Sequence, residues 1–300
     1  MPLHALYGAP PAGLCTVPTG AEQFSPLVPG SRWLDELTQP LASLTMLAPP
    51  GTIERRYALA LAIQKMGRSA KGVALAPKDK GGSRLAKELE SFGCETEQDS
   101  KQHHKICPFS RPENPTNLDE AIREGAPRFD EALGMHTQPG IFSWDRVDPG
   151  SQLLLNQLPH FRGRGADLGC GMGILSRKVL ESKDVRQLQL VDVDGRAVRA
   201  ARKNVTDPRA VFHWADLREL SLPAGLDFVV TNPPFHDGGA EDRLLGLTFL
   251  RKSAELLREG GACWLVANRH LPYEETLDEF FSRALLKSEG NGFKVYEAIR

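Results

Sequence analysis

The sequence predicts an α/β chain in two halves, each built on a parallel sheet, with the ligand site in the second. Three observations carry that prediction. Short apolar runs alternate with amphipathic helical stretches along most of the 300 residues, the pattern of βαβ units. A turn of alternating glycines, Gly169, Gly171 and Gly173, stands between a strand-like run and a helix-like run. A further strand-like run, Leu226 to Val230, leads into Asn232-Pro233-Pro234-Phe235, at the carboxyl end where open α/β sheets hold their ligands.

Composition narrows the function classes. A hydrophobic fraction of 41% is enough for buried cores and excludes wholesale disorder. The formal net charge of −1 gives no global basic field, which counts mildly against nucleic acid unless a local patch is hidden in the balance. Cys15, Cys94, Cys107, Cys170 and Cys263 are odd in number and scattered, so they form no disulfide framework and fit a reducing cytoplasm. His103, His104 and Cys107 are the one metal-like cluster, and without a second ligand pair nearby no metal is expected. No basic stretch followed by an apolar core opens the chain, so no signal peptide is expected. No run approaches the roughly 20 apolar residues of a membrane span, and no repeat of solenoid period is visible. Oligomeric state leaves no trace in the sequence.

Residues 1–31 are rich in proline and glycine and read as an irregular arm. Leu44 to Ala48 is a short apolar run closed by Pro49-Pro50-Gly51. Glu54 to Met66 has helical spacing, with Tyr57, Leu59, Leu61 and Ile63 among good helix formers. Gly72 to Ala76 is a second strand, Ser83 to Phe92 a helix closed by Gly93, and Lys105 to Phe109 a third strand. This half lacks the marks of a cofactor site. Prolines in Ala48-Pro49-Pro50-Gly51 remove backbone donors, and no acidic residue directly follows the next strand. It is expected to be a non-catalytic α/β domain. Its role is either to stabilise the second half or to dock a macromolecule through Lys71, Lys78, Lys80, Arg84 and Lys87.

Pro139-Gly140 breaks the chain, so the expected boundary separates residues 1–138 from residues 139–300. Ile141 to Trp144 then brings two aromatics into an aromatic-poor chain, and a helix begins at Pro149-Gly150-Ser151 with a leucine stripe. Asp167 ends the next strand. A dinucleotide fingerprint needs a small residue at the sixth position from Gly169, where Ile174 stands instead. Asp167 would also repel a pyrophosphate but suits a ligand with a positive amine. Gln187 to Val191 is the second strand, and Asp192 follows it, placed either for ribose hydroxyls or as a helix cap; Asp194 is the cap of the helix through Val198 and Ala201. Val211 to Ala215 is the third strand, and Asp216 after it is placed either for an adenine amine or for capping. Leu226 to Val230 is the fourth. The two prolines after Asn232 stiffen an extended loop, whose Asn232 oxygen and Pro233 carbonyl can accept both hydrogens of a planar amine while Phe235 stacks on its ring. Leu245 to Arg258 is a helix, Ala262 to Ala267 the fifth strand, Tyr273 to Leu285 a helix, and Phe293 to Ile299 an antiparallel last strand after an Asn-Gly turn.

These residues resemble a known family. Asp167 to Gly173 (DLGCGMG), Asp192 and Asn232 to Phe235 resemble the class I S-adenosylmethionine-dependent methyltransferases, Rossmann-like enzymes that modify planar nitrogens. Finer words are similar to the bacterial ribosomal RNA guanine-N2 methyltransferases, both those that act on the small ribosomal subunit and their large-subunit siblings. They are Pro139 to Ser143, Asp148 to Leu155, Asn232 to Gly238, Val266 to Asn268, Leu271 to Tyr273 and Gly292 to Ile299. The resemblance covers residues 139–300; the first half is similar in layout alone, as a degenerate copy. It implies S-adenosyl-L-methionine held by Asp167, Gly169, Gly171, Gly173, Asp192 and Asp216, without a metal. It implies a flipped guanine held by Asn232, Pro233, Pro234 and Phe235, with Phe142 and His236 lining its pocket. His236 equally reads as a residue that fixes the loop. The implied substrate is ribosomal RNA, or an assembling subunit, in the cytoplasm. Rival targets are adenine N6 or a protein glutamine amide. Rival roles are a non-catalytic module that binds the cofactor or RNA and, opposed by Ile174, a dehydrogenase.

Overall fold

The computed structural model describes residues 2–234, 240–270 and 273–300. The chain divides into two compact units, residues 1–127 with 138–140 and residues 128–137 with 141–300.

The first unit runs β1 (Leu3–Tyr7), β2 (Glu22–Gln23), β3 (Leu41–Leu47), α1 (Thr52–Lys65), β4 (Met66–Pro77), α2 (Ser83–Ser91), β5 (Asp99–Lys101), β6 (His104–Ser110) and α3 (Leu118–Gly125). Its sheet has the order β2-β1-β3-β4-β6-β5. The strands from β2 to β4 are parallel, whereas β6 is antiparallel to β4 and β5 to β6. The parallel pairing expected for this half therefore stops at β4. The loop after α2 leads into the short β5–β6 hairpin, which returns the chain along β4 instead of crossing over. The first 31 residues are not a loose arm either. Leu3, Ala5 and Tyr7 alternate as buried positions of β1, and Phe24 is anchored in the same core as Leu44, Leu59 and Ile63. A five-residue alternation among prolines and glycines is too short to stand out by period alone.

The second unit opens with a hairpin, β7 (Arg128–Asp130) and β8 (Met135–Thr137). It continues α4 (Pro149–Leu155), β9 (Gly163–Leu168), α5 (Ile174–Leu180), β10 (Val185–Asp192), α6 (Gly195–Asn204), β11 (Ala210–Trp214), β12 (Leu226–Thr231), α7 (Ala240–Leu256), β13 (Leu257–Asn268), α8 (Tyr273–Phe280), β14 (Arg283–Gly290) and β15 (Phe293–Ile299). The sheet order is β11-β10-β9-β12-β13-β15-β14. Pairing is parallel from β11 to β13, and β15 runs antiparallel to both its neighbours. This is the class I methyltransferase arrangement, with its antiparallel strand where the Asn291-Gly292 turn placed it. That turn takes φ values of 52° and 82°, the left-handed pair a tight hairpin needs. The helix expected through Leu285 ends at Phe280, because the rest of that stretch pairs with β15 as β14.

The central strands β9, β12 and β13 are largely buried on both faces, which explains why they read as mainly apolar runs. Along β12, Val229 enters one core with Leu250 and Leu277 of α7 and α8. Its neighbours Phe228 and Val230 enter the other, with Leu154, Leu175 and Val179 of α4 and α5. Each such side chain contributes roughly 1.5–3 kcal/mol of burial free energy. The order reverses at β9: the chain leaves to β10 on one side and returns to β12 on the other. A crevice at the carboxyl ends of β9 and β12 follows from that switch. Among the described residues, no helix is long and apolar enough to cross a membrane.

Candidate functional site

A cavity of about 260 Å³ opens at that switch point. Its walls come from the ends of four parallel strands: Gly169 and Gly171 after β9, Asp192 and Val193 at β10, Ala215 to Arg218 after β11, and Asn232 to Pro234 after β12. Leu245 and Phe249 of α7 and the ring of Phe142 complete it. A smaller cavity adjoins it, lined by Asp148, Ser151, Met172 and Ile174 among others, and sharing Phe142, Gly169, Gly171 and Asn232.

The register brings the two key strand ends together. Val230 pairs with Asp167 and Thr231 with Leu168. The buried Thr231 hydroxyl donates to the Leu168 carbonyl at 2.7 Å and pins the tip of β12 to the tip of β9. Gly169 can then sit beside the Asn232 carbonyl; a Cβ there would also press on Phe249 at 3.2 Å.

The glycine turn uses its own donors. Gly169 and Cys170 both donate to the Val191 carbonyl at 2.9 Å, Gly173 donates to Cys170, and Gly171 donates to Asp192 Oδ2 at 2.8 Å. These amides are unavailable to cradle a pyrophosphate, which agrees with the reading of Ile174 in the sequence. Gly171 and Gly173 take φ values of 52° and 90°, and the second lies where residues with a Cβ are strained. Gly173 is also pressed against Val205, whereas Gly171 faces open space.

Asp167 is fully buried and does not itself line either cavity. Its Oδ2 accepts the Ser176 hydroxyl at 2.6 Å, while Oδ1 is buried with no partner. Burial pushes its carboxyl up to about 7, opposed by the Ser176 hydrogen bond and helped by the nearby Asp192 charge. Burial likewise pushes Asp192 up to about 6, although its oxygens accept the backbone amides of Asp194 and Gly171. Asp194 accepts the Arg196 amide and caps α6. Asp216 lines the cavity, and it is gripped by the Arg218 backbone and guanidinium at 2.9 Å, as a turn-capping residue is. That grip holds its carboxyl below the usual carboxylate range.

Asn232 is half-buried between the cavities. Its amide nitrogen donates to Asp148 Oδ2 at 3.0 Å and to the Ser151 hydroxyl at 2.8 Å. Phe142 is 59% exposed, its backbone held by fully buried Ile141. Phe235 and His236 lie outside the described residues. Sequence reasoning missed Asp148, Ser151, Arg218, Leu245 and Phe249 as site residues. Asp148-Pro149 was legible as a helix start, but not its reach to a side chain 84 positions away. Among the described residues, no three His, Cys, Asp or Glu side chains group to hold a metal.

The first unit repeats the layout without the chemistry. Matching sheet orders sets β3 against β12 and α1 against α7, so Ala48-Pro49-Pro50-Gly51 answers Asn232-Pro233-Pro234-Phe235. The amide is absent, and the fully buried Arg55 guanidinium donates to the Pro50 carbonyl at 2.7 Å and to the Pro49 carbonyl at 3.2 Å. Glu88 closes a two-pronged pair on the same guanidinium, both contacts at 2.7 Å. A built-in donor thus fills the ledge.

The family model described as the methyltransferase small domain matches residues 132–297. Ribosomal RNA small subunit methyltransferase C of Pseudomonas fluorescens is 32% identical over 274 residues, covering 89% of this chain and 82% of that protein. Its counterpart in Shewanella loihica is 34% identical over 160 residues, covering 52% and 46%. The chain spans about half the length of several curated relatives it matches, 46–50% of those from Shewanella and Hahella. Among solved structures, a T. thermophilus 16S rRNA N2 methyltransferase in complex with AdoMet and guanosine superposes with a TM-score of 0.75 and 25% identity. It covers 94% of this chain and 77% of its own.

Proposed function

The chain belongs to the methyltransferase small domain family, and we propose that it methylates the exocyclic N2 amine of a guanine in small-subunit ribosomal RNA, using S-adenosyl-L-methionine. The observation that carries this reading is Asn232: both hydrogens of its amide are drawn toward Asp148 and Ser151, so its oxygen is left for a donor in the cavity. The curated relatives are named as methyltransferases of small-subunit ribosomal RNA, and the T. thermophilus 16S rRNA N2 methyltransferase is in complex with AdoMet and guanosine.

The residues fit the cofactor. Asp167 Oδ1 is a buried acceptor without a partner, suited to the amino group of a methionyl moiety. Gly171 adds no side chain to the turn, and Asp192 keeps acceptor capacity for ribose hydroxyls. Ala215, Asp216 and Leu217 wall the adenine end, and Gly169 and Gly173 set the turn's path. When bound, the cofactor supplies an electrophilic methyl group on sulfur. The chain's own part is positioning. Asn232 Oδ1 and the Pro233 carbonyl accept the two amine hydrogens, which turns the nitrogen lone pair out of conjugation with the ring. Phe142 and Pro234 flank the base; Phe235 and His236, which the resemblance assigns to the base, lie outside the described residues. Asn232 is no base; the surplus proton leaves the methylated amine for water once the charge has formed. No metal and no covalent enzyme intermediate are required.

In this reading the second unit forms the methyltransferase domain, and it takes in the hairpin of residues 128–137 ahead of the boundary expected at residue 139. The first unit is a non-catalytic domain whose ledge Arg55 occupies, leaving it to support folding or RNA docking. The partner is ribosomal RNA or the assembling subunit, and the compartment is the cytoplasm. Incubation with methyl-labelled cofactor and separated RNA, DNA and protein fractions tests the assignment. Label in RNA, digested to N2-methylguanosine, supports it. Label in N6-methyladenosine or in a glutamine amide instead moves the same ledge to another planar amine and overturns it.

A further inference from the structure

We propose that Asp148, acting with Ser151, is a positioning residue that fixes the orientation of the Asn232 amide and thereby makes the ledge select an amine over a carbonyl. The proposal rests on the guanine reading above and deepens it.

An asparagine amide offers an acceptor on one side and a donor on the other, and a half-turn exchanges them. A free Asn232 would serve a carbonyl-bearing ring edge as well as an amine-bearing one. Here the choice is removed. Asp148 Oδ2 has no hydrogen to give, so the side facing it must be NH2. The measured contacts agree, with the nitrogen 3.0 Å from Asp148 Oδ2 and 2.8 Å from Ser151 Oγ. Each amide hydrogen then has an acceptor within the protein. Turning the amide over would set its oxygen against a carboxylate in a half-buried site and lose the bond to Asp148, whereas the Ser151 hydroxyl could donate to either orientation, so Asp148 makes the choice. The carboxylate also makes its bond charge-assisted, which polarises the amide and strengthens Oδ1 as an acceptor.

The clamp is itself rigid. Asp148 is the N-cap of α4, its Oδ2 accepting the Ser151 backbone amide at 2.7 Å, with Pro149 at the first helical position. Gly150 lets the Phe293 ring close on that turn, where a Cβ would meet the ring at 2.9 Å. The Asp-Pro-Gly-Ser sequence thus builds a helix start whose cap faces a strand tip from elsewhere in the sheet.

Guanosine and inosine differ by the N2 amine, so their affinities for the S-adenosylhomocysteine-loaded protein, by calorimetry, read the amide's orientation. The natural chain is expected to prefer guanosine by tenfold or more, on the order of one satisfied polar group. Asp148→Ser keeps a capping residue but falls short of Asn232, and the preference should drop below about threefold. Ser151→Ala leaves the backbone cap intact and should lower it partway. Asp148→Asn, which retains one acceptor oxygen, should recover most of it. With RNA, kcat should fall roughly ten- to hundredfold in Asp148→Ser while the KM for the cofactor stays within about threefold. Melting curves establish that the variants are folded, and Ser151→Ala serves if Asp148→Ser does not fold. An unchanged guanosine preference in the folded variants overturns the positioning role while leaving the guanine reading standing. A natural chain that binds both nucleosides alike overturns the guanine reading and the positioning role together.

Discussion

In the proposed reading Asp167 holds the amino group of the cofactor, so binding of S-adenosylmethionine should tighten steeply as pH rises from 5 to 7.5 and that carboxyl ionises. Burial holds that carboxyl at about 7, against 3.8 for an ordinary aspartate. The sign follows from linkage. A carboxyl raised in the folded state contributes stability that is full below the unfolded value and is lost as pH climbs through the folded one. The empty protein therefore weakens between about pH 4 and pH 7, by up to roughly 4 kcal/mol for the full rise. A cation arriving at Oδ1 restores what burial took away. With the carboxyl raised to about 7, its ionised fraction grows steeply between pH 5 and pH 7.5, so affinity should rise by about tenfold or more. Titration calorimetry across that range, in buffers of different ionisation enthalpy, should also show release of about one proton per cofactor bound near pH 6. Asp167→Asn should bind more weakly at pH 7.5 and lose most of the slope. A cofactor affinity flat with pH, with no proton released, would refute the assignment of Asp167 to the cofactor amine.

The ledge, the plugged first unit and the turn each give a further test. Asn232→Ala removes an acceptor aimed at the reacting amine and should lower single-turnover methyl transfer by about 10²–10³, with cofactor affinity within a few-fold by calorimetry. Arg55→Ala leaves Glu88 buried and alone, and should destabilise the first unit by about 3–5 kcal/mol in urea titration, whereas Asn232→Ala should not. Gly173→Ala combines a φ of 90° with a Cβ 2.9 Å from Val205; it should cost about 1–3 kcal/mol. Gly171→Ala, which faces open space, should cost less in thermal melts.

Much of the fold was legible in the residues alone. The five parallel strands of the second unit announced themselves because burial on both faces leaves mostly apolar positions in runs such as Leu226 to Val230, where Asp227 alone is polar. The alternating glycines and Ile174 separated the turn from a dinucleotide fingerprint, and the chain's own hydrogen bonds now give the reason: the donors a phosphate would need are spent. Where the sequence misled, a local signal was weak or belonged to another element. Leu3 to Tyr7 is too short for its alternation to rise above the prolines around it. Arg283 to Gly290 carries helix formers but is held extended by β15, because tertiary pairing outweighs propensity. Asp148 illustrates the remaining gap. Its local role as a cap was readable, while its bond to Asn232 depends on how α4 packs against the sheet, which no local window contains. Arg55 is similar: a helix arginine reads as surface until Glu88 and the proline carbonyls enclose it.

The most direct measurement is mass spectrometry of nucleosides from 16S ribosomal RNA taken from cells that lack this protein, then treated with the purified chain and S-adenosylmethionine. One added methyl, on N2 of guanosine, is expected with the natural chain and almost none with Asn232→Ala. A methyl placed on any other atom, or equal N2-methylguanosine from both proteins, would contradict the assignment of Asn232 as the ledge that presents the amine.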